Sequence, residues 1–194
     1  MMKKWGLFLL GVLLSGCLGG RSQAPVLYSI ESGALAPMSS SLTATVLVSE
    51  VQLPQYLDRP QMVLFDADKN QVFVLEKERW AEPLGDLIKR ALTLDLARQF
   101  PKAFIKQNSV AQEKFDYYLF VDISDLKLTL NHRATMTGWW VLRSAKGKIL
   151  LNEKIDLSRP LSNDYSDIAV QQGKMLEELA QQIGRHLKGL KSTN

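Results

Sequence analysis

The sequence predicts an α/β fold: a single compact domain in which two main helices pack on a mixed, mostly antiparallel sheet of about six to seven strands. Three observations carry this expectation. Two stretches, Leu84 to Leu96 and Ile168 to Leu190, repeat apolar residues at three and four, the period of an amphipathic helix. Asp116 to Leu130 is rich in tyrosine, phenylalanine and branched residues, and two further runs of the same kind follow it at hairpin spacing. The chain has 194 residues, enough for one domain with a real core and too few for two comfortable ones.

In chain order, residues 1–16 read as a secretory signal. Lys3 and Lys4 give a positive start, Trp5 to Leu14 is apolar but too short to span a bilayer comfortably, and small residues follow. The order Leu14-Ser15-Gly16-Cys17 resembles the bacterial lipobox, in which the cysteine thiol is diacylated and the chain is cut just before it. The resemblance makes Cys17 the lipidated N-terminus of the mature chain, with Leu14, Ser15 and Gly16 fitting the peptidase. Leu18 stands where an aspartate would favour inner-membrane retention in Gram-negative bacteria, so the expected address is the outer membrane. Residues 17–25 form a small, polar, flexible tether, 26–190 the domain, and 191–194 a polar tail.

Val26 to Ile30 is a first candidate strand, and Glu31 to Ser41 has loop composition. Ala44 to Leu53 reads as a strand ended by Pro54, and Tyr56 to Pro60 as a turn. Met62 to Phe65 and Gln71 to Leu75 flank the turn formers Asp66 to Asn70, a hairpin pattern. Pro83 opens a helix with Asp86 in its first turn, and Pro101 closes it. In Asp116 to Leu130 the inward set shifts from Tyr117, Leu119, Val121 and Ile123 to Leu126, Leu128 and Leu130, which calls for a bulge near Ser124-Asp125. Ala134 to Ser144 and Ile149 to Leu157 continue an antiparallel meander through a turn at Ala145 to Lys148. A long amphipathic helix from Asp164 to Leu190 closes the domain.

Composition and motifs exclude several functions. Lys3 and Lys4 supply two of the four net positive charges, so the mature chain is close to neutral, and its cations are scattered among acids. No nucleic-acid footprint results. With a single cysteine no internal disulfide can form. The two histidines, His132 and His186, lie in different elements without ligands at metal spacing. Asp66, Asp68 and Asn70 imitate a calcium loop, but Gln71 and Lys77 occupy its glycine and glutamate positions. No nucleophile elbow, phosphate loop or nucleotide fingerprint occurs, and the acid pairs Glu76/Glu78 and Glu177/Glu178 read as solvated charge. The expectation is a non-enzyme with no cofactor, no metal and no catalytic residue, carrying only a covalent lipid on Cys17. The remaining candidates are aromatic: Tyr56, Leu57, Trp80, Trp139 and Trp140 as a partner interface. Trp139 and Trp140 are adjacent on a strand and point to opposite faces, so they cannot fill the same core.

Taken together, the lipobox at Cys17, Val51-Gln52-Leu53-Pro54-Gln55-Tyr56-Leu57 leading into Arg59-Pro60-Gln61-Met62-Val63, Arg79-Trp80-Ala81-Glu82-Pro83-Leu84 opening a helix, and Gly138-Trp139 in a late strand make the chain similar to PqiC-type lipoproteins, the auxiliary lipoprotein family of ABC-type intermembrane lipid transport. That resemblance implies a domain held at the periplasmic face of the outer membrane that supports membrane integrity. The implied partner is an MCE-domain protein spanning the periplasm, docked by this domain, with several copies able to ring a symmetric partner. The reading from a different class is a periplasmic ligand-binding or regulatory lipoprotein acting on a cell-wall or envelope-assembly machine.

Overall fold

A computed structural model describes residues 24–190. The signal, the lipobox residues Leu14, Ser15 and Gly16, Cys17, the tether up to residue 23 and the tail 191–194 lie outside the described residues. The elements run β1 (Val26–Tyr28), β2 (Thr45–Gln52), a 3-10 turn (Gln55–Leu57), β3 (Gln61–Asp66), β4 (Gln71–Trp80), α1 (Leu84–Gln99), β5 (Phe104–Lys106), β6 (Tyr117–Thr129), β7 (Arg133–Ser144), β8 (Ile149–Pro160) and α2 (Tyr165–Leu187).

The α/β class and the two helices agree with the sequence reading, while the strands divide differently. Among the described residues there are eight, in two sheets: a five-stranded sheet ordered β5-β2-β6-β7-β8 and a three-stranded sheet ordered β1-β4-β3. The additional strand, β5, is three residues long, too short to show a period of two, and forms because Phe104 to Lys106 lies parallel to Thr45 to Leu47. β4 also runs on to Trp80, past the expected end at Leu75, because β1 pairs with Glu78 to Trp80. Parallel pairing joins β2 to β5 and β6 and joins β1 to β4, and the remaining neighbours are antiparallel. Asp116 secures the parallel β2–β6 pair at its start: its Oδ2 accepts from the Thr45 N–H at 2.8 Å and from Thr45 Oγ1 at 3.0 Å.

Both helices cover one face of the five-stranded sheet, α1 over β2 and β5 and α2 over β7 and β8, and they also pack on each other. Pro83 caps α1 from a position whose missing N–H costs nothing, and Leu84, Leu87, Ile88, Ala91, Leu92 and Leu96 are buried along its inner stripe. Asp164 accepts the Ser166 N–H at 2.9 Å and so begins α2. Trp140 fills the space between β7 and α2, its ring edge-on to His186 with centroids 5.4 Å apart.

β6 holds this arrangement together, and the expected phase shift is present. Tyr117, Leu119, Val121 and Ile123 are buried, then Leu126 and Leu128, and the register against β7 slips between Ile123 and Asp125. Ser124 is the extra residue of a bulge. The bulge turns Asp125 toward Tyr56, whose hydroxyl donates to Asp125 Oδ1 at 3.0 Å. Burial and the adjacent carboxylate push the Tyr56 pKa up to about 12, so the hydroxyl remains a donor. Further along, Thr129 Oγ1 donates to the Phe65 carbonyl at 3.0 Å, joining β6 to the small sheet. Opposite the bulge sits Gly138, where a Cβ would run into the Asp122 carbonyl oxygen. Gly138→Ala is therefore expected to lower stability by about 1–3 kcal/mol through forced backbone shifts, measured as the change in urea unfolding free energy against the unaltered protein.

Candidate docking surface

The structure separates the five aromatic-cluster candidates. Leu57, Trp80 and Trp140 belong to the core, with exposures of 3%, 4% and 1%. That removes them from a surface role. Leu57 closes the 3-10 turn over the core, Trp80 ends β4 beneath the β1 crossing, and Trp140 meets α2. Tyr56 is half-buried and held by Asp125. Trp139 is different: it is 47% exposed, facing away from the helices.

Trp139 does not stand alone on that face. Residues paired across a sheet share a side, so register places Asp122, Trp139 and Lys154 in one row, Glu50, Phe120, Val141 and Asn152 in the next, and Leu47, Tyr118 and Arg143 in a third. Tyr118, Phe120 and Val141 are half-buried, with no helix above them. The Arg143 guanidinium lies 5.1 Å from the Phe120 ring centre, and Phe115 meets Tyr118 edge-on at 6.0 Å. The outer face of the large sheet thus carries an aromatic stripe, Tyr118–Phe120–Trp139, bordered by Glu50, Asp122, Arg143 and Lys154. Aromatic residues and arginine inside a charged rim are the anatomy of a protein interface. Sequence reasoning missed Tyr118 and Phe120. The signal was the apolar character of both alternating sets in the first half of β6, which marks a strand contacted on both faces.

Elsewhere the surface carries little chemistry. A shallow groove of about 490 Å³ where β2 meets the start of α1 is lined by Glu50, Asp58, Asp86 and Lys89, side chains suited to water. Among the described residues no three histidine, cysteine, aspartate or glutamate side chains gather as metal ligands. Asp66 is committed to its own turn, where Oδ1 accepts the Asp68 and Lys69 N–H groups at 3.0 and 3.1 Å and these bonds hold its carboxyl below the usual range.

One internal site is polar. Asp95 and Gln99 on α1 and Gln172 on α2 are fully buried, and both Asp95 oxygens and the Gln172 amide lack a well-formed hydrogen bond. The segment after β1 lies alongside, pinned by Arg98, which donates to Ser32 Oγ at 2.7 Å and to the Gly33 carbonyl. Burial pushes the Asp95 pKa up to about 6, with the Gly33 backbone and Arg98 offsetting only part of it and Glu177 adding to it. The folded state therefore holds a proton that the unfolded chain, with an ordinary carboxyl near ~3.9, has already released. The Asp95 contribution to stability should therefore fall as pH rises from about 4 to about 6 and level off above, on the order of 2–3 kcal/mol, against the opposite contribution of carboxyls held low such as Asp66. Asp95→Asn should abolish that slope, as read from urea midpoints at pH 4 and pH 7.5.

Residues 28–184 match the family described as ABC-type transport auxiliary lipoprotein component, and the chain belongs to that family. In fold it is similar to a crystal structure of an uncharacterized protein, at 17% identity and a TM-score of 0.70, covering 85% of this chain and 99% of that one. It is also similar to a DUF330 protein from Xanthomonas campestris, at 16% identity and a TM-score of 0.65, covering 84% and 95%. No curated protein matches the chain. Among the described residues no helix is long and apolar enough to cross a membrane.

Proposed function

We propose that this accessory lipoprotein is anchored to the outer membrane through acylated Cys17 and docks an MCE-domain conduit that carries lipid across the periplasm. It supports membrane integrity without catalysing a reaction. The observation that carries the reading is the uncovered aromatic face around Trp139 on a domain of the auxiliary lipoprotein family. Tyrosine, phenylalanine and tryptophan on a flat, rigid sheet supply contact area at little entropic cost, and Arg143 adds a directional cation at the rim.

The anchor and the face work as a pair. Several acyl chains bind a bilayer stably at about 0.8 kcal/mol per buried methylene, whereas one chain is marginal. Once tethered, the domain meets its partner at a high effective concentration, so a modest contact suffices to hold the end of a conduit at the membrane. Several copies of the domain around a symmetric partner would multiply that contact.

Two outcomes test this reading. Cys17→Ala, expressed behind an ordinary cleavable signal, should leave the domain folded and shift it from the membrane to the soluble fraction; retention in the membrane would sink the anchor. Trp139→Ala should reduce recovery of an MCE-domain protein in affinity capture from membranes by about tenfold or more, the scale of a hot-spot truncation. Undiminished recovery would exclude this face, and capture of a cell-wall synthase or assembly factor instead would favour the regulatory reading.

A further inference from the structure

We infer that the free edge of β8 is a self-recognition surface, to which a second copy of this chain adds its own β8 antiparallel about a two-fold axis through Ile155. The two sheets present four edges among the described residues, and three of them offer little. β1 and β5 are three residues long, and β3 packs on β6, with the Phe65 carbonyl accepting from Thr129. β8 has twelve residues, no described strand beyond it, and no backbone hydrogen bond reaching it from outside the sheet among the described residues. A long open edge is a template for another strand.

The open part of that edge is centred on Ile155. Its ladder with β7 is regular from Leu151 to Arg159, broken at one end by a bulge at Leu150 and bounded at the other by Pro160, which has no N–H to give. Just beyond, the Leu161 N–H donates to the His132 carbonyl at 3.3 Å, so in an antiparallel ladder the odd-numbered residues from 151 to 159 bond to β7. The even-numbered residues Asn152, Lys154, Asp156 and Ser158 therefore turn their N–H and C=O groups toward the free edge, and their side chains stand exposed on the same face as Trp139.

Charge fixes the register and names the occupant. Pairing two copies about Ile155 sets Lys154 opposite the second copy's Asp156 and Asp156 opposite its Lys154, while Asn152 meets Ser158 in both directions. The Lys154 and Asp156 side chains are 63% and 73% exposed and 3.9 Å apart within one chain, which leaves each open to a second contact. A slide of two residues either way puts Lys154 opposite Lys154 or Asp156 opposite Asp156, so like charges reject both neighbouring registers. Unmatched charges on an edge deter pairing, whereas these are spaced so that the strand matches itself. The pairing runs the two large sheets into one with both Trp139 rings on the same side, and the row of Asp122, Trp139 and Lys154 gains the second copy's Asp156. It requires neither the acyl anchor nor another protein.

Analytical ultracentrifugation tests the pairing on the full chain carrying Cys17→Ala behind a cleavable signal, which leaves no thiol to form an adventitious disulfide. One strand pair is a small interface, so dimerisation is expected between about 1 and 100 µM. Lys154→Asp and Asp156→Lys each set like charges opposite one another on both sides of the axis and should weaken association by about tenfold or more, with urea midpoints close to the parent's. Mixing the two variants in equal amounts should restore dimerisation, because each then supplies the charge the other lacks. An effect confined to one chain would not be rescued in this way. A parent chain still monomeric at about 100 µM, single variants that dimerise as the parent does, or a mixture that stays monomeric would each overturn the pairing. Assembly beyond a dimer would overturn the closed two-fold form.

Discussion

The rest of the structure depends on one residue inserted into one strand. β6 must keep its apolar side inward along its whole length, and a strict alternation over that span would keep it flat. The bulge at Ser124 permits both halves to bury apolar residues, Ile123 before it and Leu126 after it, while the strand bends. The first half then pairs with β2, and the second half meets the small sheet through Thr129 and Phe65. Gly138 is the counterpart on β7, bare of a side chain because the Asp122 carbonyl occupies the space where one would go.

That bend has a functional consequence. With α1 and α2 both on the inner face, the outer face of the large sheet is left to side chains alone, and its aromatic stripe is displayed on rigid strands rather than on loops. The small sheet carries the β3–β4 hairpin, with β1, the first strand of the described residues, on its other edge.

Buried polarity at the helix interface is the cost of bringing the chain in from the tether. The segment after β1 must cross the helices to reach β2, and Arg98 holds its backbone while Asp95 is left underneath without a well-formed hydrogen bond, 3.8 Å from the Arg98 guanidinium. Gly173 on α2 admits the Glu31 carbonyl, which would lie 3.1 Å from any Cβ placed there. Nothing in the local sequence marks Asp95 as buried. It sits on a helix beside Arg98 like any surface acid, and only the crossing segment covers it.

What the sequence by itself determined was whatever is written in a local period. Leu84 to Leu96 and Ile168 to Leu187 became helices, and the phase change in β6 announced its bulge, because each pattern is complete within a few neighbouring residues. The lipobox resemblance at Cys17 is equally local. Tertiary structure alone decided how strands were shared between two sheets, why three residues at Phe104 became β5, and which tryptophans are displayed. Adjacency guaranteed that Trp139 and Trp140 point apart; it could not say which side the helices would cover. That choice rests on contacts between residues far apart in the chain, Trp140 against His186 among them, and these exist only once the fold has closed.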